Sequence, residues 1–176
     1  RKQGIFARDC EDIEQLRIVI KNRVRGFKMS EYKMIVLDLD GTLTNRNKEI
    51  TPKTKETLMK AQEQGKIVVL ASGRPTYGVM PLAEELHLED YGGYILSFNG
   101  GIIMNCKTKE VVFSRQIPAE SNGKIIDLAQ ENNVSILTYE NRTLLTNCPE
   151  DQYVQLESRI NILKIISMTT EELKAY

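Results

Sequence analysis

The apolar positions of this chain follow two alternating patterns. Short unbroken apolar runs occur at Met34–Leu37, Ile67–Ala71 and Tyr94–Phe98. Between them apolar residues recur every three or four positions: Leu58 and Ala61 in the first interval, then Val79, Leu82, Ala83 and Leu86 in the second. A short continuous run suits a strand buried on both faces of a parallel sheet, and the wider spacing suits a helix with one buried stripe. The punctuation agrees. Thr51 followed by Pro52 is a helix start and Gly65 a helix stop. Pro81 must lie in the first turn of the second helix or kink it. Strand, helix, strand, helix, strand with short connections predicts a doubly wound, mostly parallel α/β sheet.

The pattern differs on either side of this region. Upstream, Ile13, Leu16, Ile20 and Val24 predict an amphipathic helix over 11–25, acidic early and basic late as the helix dipole favours. Gly26 ends it, residues 26–33 read as a linker, and Met29 is a plausible natural start, so that the first 28 residues form an extension. Downstream, Asn99-Gly100-Gly101 marks a change. Ile102–Met104 and Val111–Phe113 read as a hairpin, 119–132 as a helix with Ile125, Ile126 and Ala129 inward, and Val134–Thr138 with Thr143–Thr146 as a second hairpin. A last helix begins near Glu150. The division is therefore a helical extension over 1–31, the first half of an α/β core over 32–100, and an α+β module over 101–176.

Composition narrows the function classes. At 41% hydrophobic and 27% charged, the 176 residues have the balance of a globular chain and not of a disordered one. Lys+Arg and Asp+Glu both total 24, and this neutrality argues against a nucleic-acid partner, which a basic excess would mark. No apolar run approaches the roughly 18 residues that cross a membrane. Cys10, Cys106 and Cys148 are far apart with no CxxC, which disfavours a zinc site or a disulfide framework and fits a cytoplasmic location.

The chemistry concentrates at two strand ends. Asp38-Leu39-Asp40-Gly41-Thr42-Leu43 follows the first run directly. In an open α/β sheet ligands bind beyond the carboxyl ends of the strands. Alternation puts Asp38 and Asp40 on one side and Leu39 on the other. Two carboxylates this close, near a cation, can divide the work: one attacks phosphorus and the other holds a proton for the leaving oxygen. Gly41 lets the backbone turn, and Thr42 can donate its hydroxyl. The second run ends in Ala71-Ser72-Gly73-Arg74-Pro75. A hydroxyl followed by glycine at a helix entrance can bind phosphate oxygens through the side chain and backbone N–H groups. A solvated acidic turn and an ordinary helix cap are the plainer readings of each motif taken alone. Their occurrence on adjacent strand ends is far more specific.

DLDGTL followed by ASGR resembles the haloacid-dehalogenase superfamily, and within it the Cof-type, subfamily IIB sugar-phosphatase branch. Ser97-Phe98-Asn99-Gly100-Gly101 is similar to the segment that leads into the cap of that branch, and the likeness extends over residues 32 to 165. The resemblance implies a Rossmann-like core with an inserted α+β cap, both partial here. It implies Asp38 as the nucleophile that becomes an aspartyl-phosphate, and Asp40 as general acid and then base. It implies Mg2+ held by the Asp38 carboxylate and the Asp40 carbonyl. Ser72 and the Gly73 amide would hold the phosphoryl group of a small phosphorylated metabolite. Gly41, Thr42 and Arg74 are further candidates for binding it, and Asn99 either faces the substrate at the domain junction or caps a turn.

Two features depart from the family pattern. The downstream lysine and the acidic pair commonly found in GDGxND are missing after residue 101, so the chain reads as ending within the cap. The first strand would then lack its outer neighbours, an unpaired apolar edge open to self-association. The N-terminal helix also has no counterpart in the family. A phosphomutase keeps both aspartates and stays open as an alternative, as does a catalytically inactive chain. A transport ATPase would have threonine at position 40, and a metal-dependent glycosyltransferase with an Asp-x-Asp motif leaves Ser72-Gly73-Arg74 unexplained.

Overall fold

The structure is a computed structural model, and it describes residues 32–176. The expected helix over 11–25 and Cys10 lie outside the described residues. The core begins with β1 (Met34–Asp38), followed by α1 (Pro52–Glu63), β2 (Ile67–Ala71), α2 (Thr76–Glu85), the short α3 (Leu88–Tyr91) and β3 (Tyr94–Ser97). β1 pairs in parallel with β2, and β2 with β3. The strand order β1-β2-β3 runs in one direction, and right-handed crossovers then put α1 and α2 on the same face. Leu58 of α1 and Val79, Leu82 and Ala83 of α2 accordingly share one cluster with Val68, Leu70 and Ile95 of the sheet. The architecture is the parallel-rich α/β sheet of a Rossmann-like core, with one winding among the described residues.

That geometry corrects the reading of β1 as a strand buried on both faces. Among the described residues it lies at the edge of the sheet, and its exposure alternates along its length. Met34 is 49% and Val36 55% exposed, while Ile35 and Leu37 are half-buried on the helix-covered side. β2, in the interior, has Val68, Val69 and Leu70 all buried.

The hairpin of β4 (Ile102–Asn105) and β5 (Val111–Ser114) also differs from expectation. The sequence division put it in the second module. It instead continues the first sheet, because β4 pairs antiparallel with β3 from Ser97↔Ile102 to Tyr94↔Asn105. Phe98–Gly101 is a tight reversal, and Met104 and Cys106 pack into the core cluster.

The helix contents follow the sequence with two changes. Thr51 caps α1, its hydroxyl accepting from the Thr54 amide, and Gly65 adopts φ +76° after it. Gln62, not Ala61, is the buried residue of its last turn, and its Nε2 donates to the Leu86 carbonyl at 2.9 Å. Pro81 sits inside α2, beyond its first turn. Its missing N–H leaves the Tyr77 carbonyl without the usual helical donor.

The second module comprises α4 (Asn122–Glu131), β6 (Leu137–Glu140), β7 (Thr143–Thr146), α5 (Gln152–Asn161), β8 (Lys164–Ser167) and α6 (Thr170–Ala175). β7 is central, antiparallel to β6 and parallel to β8. Leu144 and Leu145 point to opposite faces of β7. Leu144 packs with Val154 of α5 and Leu163, while Leu145 packs with Ile126 of α4 and Leu173 of α6. The sheet is thus covered on both sides. Burying each leucine contributes about 1.5–3 kcal/mol. Ile125, expected inward, is exposed; Ile126 alone is fully buried in α4. Among the described residues no helix is long and apolar enough to cross a membrane.

Candidate active site

The parallel register sets Asp38 opposite Ala71, so Asp38 and Ser72 leave the carboxyl ends of neighbouring strands side by side. Leu39 is fully buried in the core, while Asp38 and Asp40 are exposed, as alternation requires. The chain then coils tightly. The Leu43 amide donates to the Asp38 carbonyl at 3.1 Å and the Thr44 amide to the Leu39 carbonyl at 2.9 Å. Gly41 supplies φ +82° to this turn. Thr42 Oγ1 donates to Asp38 Oδ2 at 3.3 Å. Asp38 forms no ion pair among the described residues, which leaves its carboxylate open to a cation or to phosphorus.

Asp40 is in a different state. Arg74 grips it with two nitrogens, Nε to Oδ2 at 2.9 Å and Nη2 to Oδ1 at 2.7 Å. Lys48 Nζ adds a third contact to Oδ1 at 2.7 Å. Burial works to raise the Asp40 pKa, but the hydrogen bonds and charges of Arg74 and Lys48 outweigh it and hold the carboxyl below its ordinary value. Asp40 is therefore an ionised acceptor in this arrangement. Lys48 was not among the residues expected at the site. It reaches Asp40 through a small turn in which Asn45 Oδ1 accepts from the amides of Asn47 and Glu49 and Lys48 takes φ +65°. Asn45-Arg46-Asn47 signals a turn, but nothing in that signal gives the direction of the lysine.

The second loop is fastened to the third strand. Ser72 is buried, and its Oγ accepts from the Arg74 amide at 3.1 Å, which leaves the hydroxyl proton free to donate. The Asn99 amide donates to the Ser72 carbonyl at 3.1 Å, and the Phe98 amide to the Arg74 carbonyl at 3.0 Å. Phe98 and Asn99 both take positive φ, +51° and +54°. This is a costly conformation for a bulky residue, and the two backbone bonds hold it there. It swings the Asn99 side chain over Gly73, where an added Cβ would lie 3.1 Å from Asn99 Oδ1. The ends of β1, β2 and β3 are thus joined by Asp40–Arg74 and by Asn99 on the Ser72–Gly73 loop. Asp38 and Asp40 are exposed at the site while Ser72 is buried. A groove in the second module is lined by Val134, Leu137, Tyr139 and Tyr153 among others.

Among the described residues no group of three or more His, Cys, Asp or Glu side chains could hold a metal ion. The Asp38 carboxylate and the Asp40 carbonyl are two hard oxygen donors. That set fits a cation such as magnesium, which binds through one or two carboxylates and completes its shell with water and substrate.

A sequence profile for haloacid dehalogenase-like hydrolases matches residues 35–174. The 5-amino-6-(5-phospho-D-ribitylamino)uracil phosphatase YwtE of Bacillus subtilis is 32% identical over 133 residues, 75% of this chain and 43% of that protein. The crystal structure of a haloacid dehalogenase-like hydrolase from Bacteroides thetaiotaomicron matches with a TM-score of 0.72 at 48% identity, over 79% of this chain and 52% of that one. An HAD subclass IIB sugar phosphatase shares the fold, with a TM-score of 0.63 at 19% identity over 82% of this chain and 55% of that one. The chain spans about half the length of these relatives. With the profile covering most of its length and the paired aspartates at the end of β1, the chain belongs to the haloacid dehalogenase-like hydrolase family.

Proposed function

We propose that this chain carries the nucleophile half of a magnesium-dependent phosphatase site for small phosphorylated metabolites, sugar phosphates in particular. The observation behind this is the adjacency of Asp38 and Ser72 at neighbouring parallel strand ends, with Arg74 linking the second loop to Asp40. Asp38 forms the new bond to phosphorus as the bond to the leaving oxygen breaks, giving an aspartyl-phosphate. Asp40 gives its proton to that oxygen, then takes one from the water that attacks the aspartyl-phosphate. The Ser72 hydroxyl and the Gly73 amide hold the transferring oxygens. Magnesium bound at Asp38 and the Asp40 carbonyl would offset the negative charge that gathers there, the main electrostatic demand of phosphoryl transfer. Asp40 as found, ionised and gripped by two cations, is in the state needed for the base step. The acid step requires Lys48 or Arg74 to release it and a proton to be taken up. We place substrate selection in the second module, the cap.

The test is hydrolysis of a generic aryl phosphate with magnesium, comparing the parent protein with Asp38→Asn. Phosphate release is expected to vanish in the variant while its circular dichroism is unchanged. Release at the parental rate would end the nucleophile assignment. An isomerised sugar phosphate in place of free phosphate would identify a mutase. We also place self-association at β1, which pairs on one side only among the described residues and whose Met34 and Val36 are exposed.

A further inference from the structure

We propose that Asn161 and Gly78 form a knob-and-socket joint that fixes the second module on the core. Asn161, the last residue of α5, is 3% exposed. Its Nδ2 donates to the Glu157 carbonyl at 3.1 Å and to Glu157 Oε1 at 2.7 Å. Both partners are acceptors, so the orientation of the amide is determined and Oδ1 faces away from its own helix. Among the described residues Oδ1 has no hydrogen-bond partner. It occupies the space beside Gly78 where any other residue would carry its side chain: an added Cβ would lie 2.0 Å from Oδ1 and 3.0 Å from Cγ. Gly78 is a buried residue within α2, with no positive φ to explain a glycine. Glycine is disfavoured relative to alanine in a helix interior. What Gly78 offers is room, with Oδ1 set against its Cα–H.

Two ring contacts flank the joint. The Arg142 guanidinium lies 5.2 Å from the centre of the Tyr77 ring, and Tyr139 meets Phe98 edge-on with ring centroids 5.4 Å apart. Tyr139 donates to Glu157 Oε1 at 2.8 Å, the same oxygen that holds Asn161, so Glu157 unites two of the three contacts. On the core side, Arg74 Nη1 donates to the Gly78 carbonyl at 3.4 Å while Arg74 grips Asp40. The joint therefore stands one residue away from the acid/base group. Its bearing on catalysis rests on the phosphoryl-transfer reading; the joint itself does not.

The test is a thermal-unfolding cycle of Gly78→Ala and Asn161→Ala, singly and together, which needs no turnover. Helix propensity alone makes Gly78→Ala stabilising. The joint makes it destabilising, with Tm falling by roughly 3–6 °C from overpacking. In the Asn161→Ala background the same substitution is expected to raise Tm, because the Asn161 Cβ stands 3.4 Å from the new methyl, an ordinary contact. A rise in both backgrounds, or an equal fall in both, overturns the proposal. Tryptic cleavage after Arg115, in the exposed connection between the two sheets, is expected to quicken several-fold in Gly78→Ala and to return to the parental rate in the double variant. Unchanged cleavage in Gly78→Ala would show that the contact does not hold the modules together.

Discussion

Removing Arg74 or Lys48 separates the two cations that hold Asp40. Arg74 is 12% exposed and makes two charge-assisted bonds to a carboxylate that is itself 39% exposed. A hydrogen bond to a charged group contributes about 1.5–3 kcal/mol when buried. The exposure of Asp40 screens this, and a figure of about 1–2 kcal/mol for the bidentate pair follows. Lys48 is 49% exposed and makes one contact. It contributes about 0.5 kcal/mol, as exposed pairs do. Arg74→Ala is therefore expected to lower Tm by roughly 2–8 °C in a chain of this size, and Lys48→Ala by about 1–2 °C. The pH dependence has a definite sign. The folded pKa of Asp40 lies below its ordinary 3.8, so the stability it contributes is present above that value and is lost as pH falls through the lowered one. Arg74→Ala should shrink this acid limb more than Lys48→Ala does. Urea titrations of the three proteins at neutral pH and at about pH 3 measure both effects. A Lys48→Ala cost equal to or above that of Arg74→Ala would show that Asp40 is not held chiefly by the guanidinium.

Two further outcomes are expected. Burial first, and then the hydrogen bond to Glu157, raise the Tyr139 pKa above its ordinary 10.0, so its stabilising contribution is present below that value and is lost as pH climbs beyond it. Tyr139→Phe should cost about 1–2 kcal/mol near neutrality and lose less on moving to about pH 11, and identical alkaline slopes in urea midpoints would contradict this. Val36→Lys puts a charge on the open face of β1, where it is expected to reduce concentration-dependent association in sedimentation without lowering Tm; unchanged association would clear that edge of the role.

The sequence made the core elements legible where local pattern and burial agree. β2 matches its apolar run end to end because the interior of the sheet buries every residue of Ile67–Ala71 to some degree. The Thr51–Pro52 start and the Gly65 stop of α1 were readable because caps are local chemistry. The failures share one physical cause, which is partnership that no local pattern carries. β1 has the same apolar run as β2, yet it pairs on one side only among the described residues, and of its two faces the one bearing Met34 and Val36 stays exposed. Asn99-Gly100-Gly101 has the composition of a boundary, and only the pairing of β4 with β3 reveals a hairpin turn. Ala61 and Gln62 exchange places because a carbonyl 24 residues away rewards the amide.

The same distinction runs through the site. Asp38, Asp40 and Ser72 could be read because each follows directly from an apolar run, and the geometry of a parallel sheet does the rest. Arg74 could be read as present but not as the partner of Asp40, and Lys48 could not be read at all. Their bonds span 34 and 8 residues and depend on how two loops curl after leaving the sheet. Strand ends position Asp38 and Ser72, the groups we propose to act on phosphorus, whereas loop closure brings Arg74 and Lys48 onto Asp40, the proposed acid/base, and lowers its pKa. The strand-end carboxylate is therefore the part of such a candidate site that sequence reveals first, and the grip of Arg74 and Lys48 on Asp40 is the part that only coordinates reveal.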